Sequence, residues 1–134
     1  MAVDLDQARA FQRHKEHRRQ AAIEVRFQQA WRDFRAIVTL VAERYRPARI
    51  YQWGSLLCRP HFCEWSDIDV AIEGLGSAER FFALYGEADR LTRLPLDLVE
   101  MERIEPEFAD IIRMKGIVVY DRDSADPGPH FRTG

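Results

Sequence analysis

The sequence of this 134-residue chain predicts a single α/β domain in which helices alternate with short strands. The first 46 residues contain neither glycine nor proline, which permits a long N-terminal helical region. After Pro47 the apolar spacing changes to that of strands, and glycine or proline separates one short run from the next. These observations predict a small sheet flanked by helices.

The N-terminal region contains two stretches of different character. Between residues 23 and 45, apolar side chains recur at steps of three and four, as on one face of a helix that packs on a sheet. Residues 4–20 have helical composition but few apolar side chains. We therefore predict a helical extension over residues 1–22 that is exposed or covered by a partner. The apolar stripe that follows it consists of Ile23, Phe27, Trp31, Phe34, Val38, Val41 and Tyr45.

The remaining elements follow from local start and stop signals. Ser77 and Pro106 each begin a helix, because serine caps helix N-termini and proline is favoured in the first turn. The polar segment 121–134 is rich in proline and glycine, which predicts a disordered tail after a domain over residues 23–120. Four strands are expected, at residues 48–53, 68–72, 95–100 and 117–120.

Charge is distributed unevenly along the chain. Residues 1–50 hold 11 Lys/Arg and 6 Asp/Glu, whereas residues 51–134 hold 9 and 16. The basic half could meet an acidic partner or nucleic acid, but arginines on the solvent face of a helix explain it more simply, so we expect no direct nucleic-acid binding. With no long apolar run or leader segment, we expect a cytoplasmic protein, with Cys58 and Cys63 reduced.

Two aspartates interrupt the second predicted strand. Asp67 and Asp69 are two residues apart, so their carboxylates project from the same face. Asp97 alternates with leucines in the third strand and can join that face if the two strands are neighbours. Carboxylates that lie together repel one another unless cations neutralise them, and Mg²⁺ prefers oxygen ligands that it shares with phosphates.

A Gly-Ser pair ends the first predicted strand. Gly54 permits close approach to the backbone, and Ser55 adds a hydroxyl donor for a phosphate. A phosphate site, a loop and a cation site therefore follow one another, which suits a nucleoside triphosphate bound with Mg²⁺.

These residues resemble the nucleotidyltransferase superfamily that includes DNA polymerase beta. Its pattern is a Gly-Ser pair, about ten residues, Asp-apolar-Asp, and a later aspartate on a neighbouring strand. In this chain Gly54-Ser55, Asp67-Ile68-Asp69 and Asp97 match that pattern. The resemblance implies a polymerase-beta-like fold with a small mixed sheet. Its compact form is similar to the minimal nucleotidyltransferases that act as antitoxins of HEPN-type ribonuclease toxins.

The resemblance also implies a role for each residue. Gly54 and Ser55 would hold the triphosphate of ATP, while Asp67, Asp69 and Asp97 would bind Mg²⁺ and form the catalytic set. Asp97 would also help to deprotonate the attacking hydroxyl. Leu56, Leu57 and Cys58 replace the small and basic residues of many relatives, so Arg59 is expected to supply positive charge to the nucleotide.

Three functions follow from these expectations. The first is transfer of AMP from ATP to a hydroxyl of a HEPN-type toxin. The second is transfer to a small molecule such as an aminoglycoside, although such relatives carry an additional helical domain. The third is a non-catalytic antitoxin that acts by contact alone.

Overall fold

The computed structural model describes residues 4–132, so the predictions for residues 1–3 and 133–134 lie outside the described part of the chain. Among the described residues, the helices are α1 (Leu5–Arg44), α2 (Ala78–Asp89) and α3 (Pro106–Lys115). The strands are β1 (Arg49–Gln52), β2 (Ile68–Glu73), β3 (Leu96–Glu100) and β4 (Ile117–Asp121). This architecture confirms the predicted α/β fold with a small mixed sheet and a long N-terminal helix.

Helix α1 is one continuous helix of 40 residues that differs in exposure along its length. The carboxylate of Asp4 caps it by accepting hydrogen bonds from the backbone N–H groups of Asp6 and Gln7. Every residue from 4 to 22 is exposed, whereas the later stripe packs on the sheet. The predicted boundary after residue 22 thus lies inside α1, at the point where the side chains change from exposed to partly buried. The domain boundaries themselves remain a prediction.

The four strands form a mixed sheet in the order β3-β2-β1-β4. Strand β1 is antiparallel to both of its neighbours, whereas β2 and β3 are parallel and are connected through α2. A parallel pair requires such a crossover, which the 12 residues of α2 supply. Ser77 caps α2 by accepting a hydrogen bond from the backbone N–H of Arg80.

The two faces of the sheet carry different side chains because neighbouring residues of a strand point to opposite sides. Ile68, Val70 and Ile72 of β2 pack into the main core with α1 and α2. On the opposite face, α3 packs over Tyr51, Ala71 and Met101 through residues that include Ala109 and Ile112. Asp69 alternates with Ile68 and Val70, so it belongs to this second face.

The C-terminal segment 121–132 differs from the predicted disordered tail. The backbone N–H of His130 donates to the carbonyl of Val119 at 2.8 Å, and the ring of Phe131 packs edge-on against Phe34 of α1. One aromatic side chain that reaches the core therefore positions an otherwise polar segment. Along residues 4–132, no helix combines the length and the apolar character that crossing a membrane requires.

Candidate active site

The parallel register of β2 and β3 brings two of the predicted aspartates together. Asp69 lies directly opposite Asp97 in the parallel pair. Asp67 immediately precedes β2, where the backbone N–H of Ile68 donates to the carbonyl of Pro95 at 2.9 Å. The charge of Asp67 acts on both other carboxyl groups, so all three aspartates belong to one acidic cluster.

Gly54 lies against this cluster. Its φ of 85° is in the region that favours glycine, and a Cβ atom at this position would collide with Oδ2 of Asp69. Both the backbone conformation and the available space therefore require glycine here. The structure thus brings the Gly-Ser turn and the Asp-apolar-Asp strand into direct contact.

A short 3-10 turn over Ser55–Leu57 continues from Gly54. The backbone N–H of Cys58 donates to the carbonyl of Ser55 at 3.1 Å, which closes the turn. Leu56 is buried in the main core and anchors it. The leucine that replaces a small residue of many relatives thus has a structural role beside Ser55.

The structure does not direct Arg59 to the aspartates. Its guanidinium forms an ion pair with Glu24 and lies 5.0 Å from the ring centroid of Phe27, both on α1. These contacts follow from the second 3-10 turn, Arg59–His61, which packs toward α1. A role for Arg59 in nucleotide binding remains a prediction.

The arrangement of these residues agrees with a comparison with known families. A family model described as polymerase beta, nucleotidyltransferase, matches residues 35–125, which is more than half of the chain. The chain belongs to this nucleotidyltransferase family. The match begins inside α1 and includes all four strands and all of the predicted site residues.

One solved structure supports the fold of this nucleotidyltransferase. A crystal structure of a toxin–antitoxin with AMP-PNP is similar with a TM-score of 0.53 and 16% identity, over 66% of this chain and 73% of that chain. A provisionally assigned nucleotidyltransferase from Sulfolobus solfataricus has 20% identity over 72% of this chain and 86% of its own. The TM-score of that pair is 0.44. No curated protein matches the chain.

The acidic cluster of the nucleotidyltransferase is electrostatically strained without a counter-ion. Burial, followed by the charges of Asp97 and Asp67, raises the pKa of Asp69 to about 7. Burial and the charge of Asp67 also raise the pKa of Asp97, while its hydrogen bond with Asp69 opposes that rise. In the absence of cations, the Asp69–Asp97 pair therefore retains a proton near neutral pH.

The donor set fits a hard cation that is also bound by substrate. Within residues 4–132, no group of three or more His, Cys, Asp or Glu side chains is arranged to hold a metal ion, so a cation here would need ligands from its substrate. Mg²⁺ commonly takes one or two carboxylates and completes its shell with waters and substrate phosphates. The raised pKa of Asp69, next to Asp97, marks the place where positive charge would relieve the repulsion.

We expect the stability of the metal-free protein to fall as pH rises from 5.5 to 8. The native state holds the Asp69 proton up to pH of about 7, whereas the unfolded chain loses it near 4. The folded state thus binds an additional proton between these two pKa values, so the free energy of unfolding should fall by about 2 kcal/mol from pH 5.5 to about 7 and level off above that pH.

Urea unfolding in the presence of EDTA at several pH values measures this slope. Asp69→Asn, which cannot titrate, should flatten the pH dependence between pH 5.5 and 8. An equal slope in both proteins would show that another group is responsible.

Trp53 and helix α3 meet beside Gly54, which no pattern in the sequence predicted. Between them lies a cavity of about 420 Å³, here named the α3 cavity, with Gly54 at its edge. Periodicity predicts that residues 106–115 form a helix, but it does not reveal where that helix packs on the sheet. The side chains that form most of its wall are Trp53, Leu57, Phe108, Ile111 and Ile112.

Proposed function

We propose that this nucleotidyltransferase transfers AMP from ATP, with Mg²⁺, to a hydroxyl group of a partner protein. We further propose that the partner is a HEPN-type ribonuclease toxin and that the chain acts as its antitoxin. The observation that carries the proposal is the register of Asp69 with Asp97, next to the glycine turn at Gly54. A phosphate site and a cation site that adjoin in this way suit a metal-bound triphosphate.

Each residue of the proposed site has a distinct task. Gly54 lets the Asp69 carboxylate lie directly against the turn that would hold the phosphates, and the Ser55 hydroxyl would donate to a phosphate oxygen. Asp67, Asp69 and Asp97 would hold Mg²⁺, which supplies positive charge that stabilises the triphosphate and the leaving group. The acceptor oxygen bonds to the α-phosphorus as the bond to pyrophosphate breaks, and an Asp97 carboxylate oxygen takes the hydroxyl proton.

A protein partner is supported by a similar solved structure and not by the site itself. The similar structure with a TM-score of 0.53 is described as a toxin–antitoxin with AMP-PNP, so that assembly combines a nucleotide analogue with a protein pair. The HEPN identity of the partner rests on the family resemblance of the sequence. Residues 4–22, exposed along the whole length of this segment, offer a surface on which such a partner could dock.

The proposal predicts a mass increase of one AMP on the partner protein. The chain and a candidate HEPN-type ribonuclease are incubated with ATP and Mg²⁺, and both proteins are examined by intact mass spectrometry. Transfer should require both the chain and Mg²⁺, and ribonuclease activity should fall as the modified fraction rises. Inhibition without a mass change would instead indicate action by contact, and modification of an aminoglycoside alone would indicate a small-molecule acceptor.

A further inference from the structure

The α3 cavity adjoins the acidic cluster through a single residue. Gly54 forms part of the cavity edge, and the same residue lies against Oδ2 of Asp69. Trp53, which precedes Gly54 in the chain, contributes one wall. A molecule with its phosphates beside Gly54 could therefore extend into the cavity without crossing another element of the protein.

The wall of the cavity is chemically unlike the acidic cluster. It consists mostly of apolar and aromatic side chains, and the rings of Trp53 and Phe108 meet edge-to-face with centroids 5.2 Å apart. Among the described residues that line it, none is acidic, and the polar ones are Cys58, His61 and Lys115. The apolar and aromatic majority of the wall favours a flat aromatic ring.

Trp53 also contributes a polar atom that has no use within the fold. Its indole Nε1–H is buried and has no hydrogen-bond partner among residues 4–132. A buried donor without a partner is unfavourable, and this cost falls on the residue that forms one wall of the cavity. A rotation of the indole toward a bound nucleobase, whose ring nitrogens and carbonyl oxygens accept hydrogen bonds, would remove it.

We propose that the α3 cavity binds the nucleobase of the nucleoside triphosphate whose phosphates lie at Gly54 and Ser55. This inference rests on the proposed function and adds the site that distinguishes a nucleotide from bare phosphate. The volume of about 420 Å³ falls in the range of small-molecule pockets. The base would pack between the side chains of β1 and α3, with Ile111 and Leu57 among its contacts.

The test compares ATP with inorganic tripolyphosphate by calorimetry on the full chain in Mg²⁺. Ile111 is 51% exposed and lines the cavity, so Ile111→Glu places a charge in the cavity at a position that tolerates solvent. Met114, on the same helix, is 78% exposed and lies outside the cavity, so Met114→Glu is the matched control. Leu57→Gln alters the opposite wall.

Wild type should bind ATP more tightly than tripolyphosphate. Ile111→Glu should reduce that preference about tenfold, the scale of one lost base-stacking contact, and Leu57→Gln should reduce it in the same direction. Met114→Glu should retain the wild-type preference. The ratio of the two affinities cancels any general effect of the added charge on phosphate binding.

Three results would contradict the inference in different ways. An unchanged ATP preference in both cavity variants would overturn it while leaving the proposed function intact. If the cavity variants kept the wild-type preference for ATP but failed to transfer AMP to the partner, the cavity would bind the acceptor side chain and not the base. If wild type bound neither ligand, the proposed function itself would fail.

Discussion

Asp69→Asn should abolish nucleotidyl transfer while the protein remains folded. The substitution removes a carboxylate that lies in register with Asp97 and against Gly54, in the middle of the proposed cation site. Loss of one group that stabilises charge in a reaction centre typically costs a hundredfold or more, so we expect a loss of at least about 100-fold. Transfer of labelled AMP to the partner measures the rate.

The stability of the same variant separates a catalytic role from a structural one. At pH 8 in EDTA, Asp69→Asn should unfold at higher urea than wild type, because burial and neighbouring carboxylates oppose the ionised Asp69. Asp123→Asn removes a carboxylate that is 83% exposed and should leave both activity and stability unchanged. Wild-type transfer by Asp69→Asn would refute the assignment of this residue.

Gly54→Ala should impair both the fold and the reaction. Alanine is strained at a φ of 85°, and its Cβ would collide with Oδ2 of Asp69. Relief of the collision must displace either the turn or the carboxylate, so we expect about 2 kcal/mol of lost stability and at least about 100-fold slower transfer. Urea unfolding and the AMP-transfer assay measure the two effects.

Gly76→Ala is the matched control for this substitution. Gly76 also has a positive φ, of 106°, but nothing lies within 4 Å of an added Cβ. The Gly76→Ala variant should therefore lose only about 1 kcal/mol of stability, from backbone strain alone. It should transfer AMP at the wild-type rate. Equal behaviour of the two alanine variants would show that contact with Asp69 is unimportant.

Much of the fold was predictable because local signals in this chain agree with its tertiary structure. Alternation of apolar and polar residues assigned Asp69 and Asp97 to strand faces, and the family pattern implied that those strands are neighbours. The structure places them opposite each other in a parallel pair. Ser77 and Pro106 marked the starts of α2 and α3, because capping depends on residues close in sequence.

The features that escaped prediction depend on contacts between distant segments. Composition predicted disorder after residue 120, but it did not show that Phe131 could reach Phe34. The ion pair of Arg59 with Glu24 joins two elements and was not predicted, while a role for Arg59 in nucleotide binding stays a prediction. The α3 cavity arises from the position of α3 on the sheet, which no periodicity within residues 106–115 specifies.

The parallel pairing of β2 and β3 also bears on how the protein folds. Asp69 and Asp97 become neighbours only after α2 has crossed the sheet and both strands have docked. An unfolded chain holds these carboxylates far apart and offers a ligand no comparable site. Whatever binds the assembled cluster therefore selects the native state and shifts the folding equilibrium toward it by mass action.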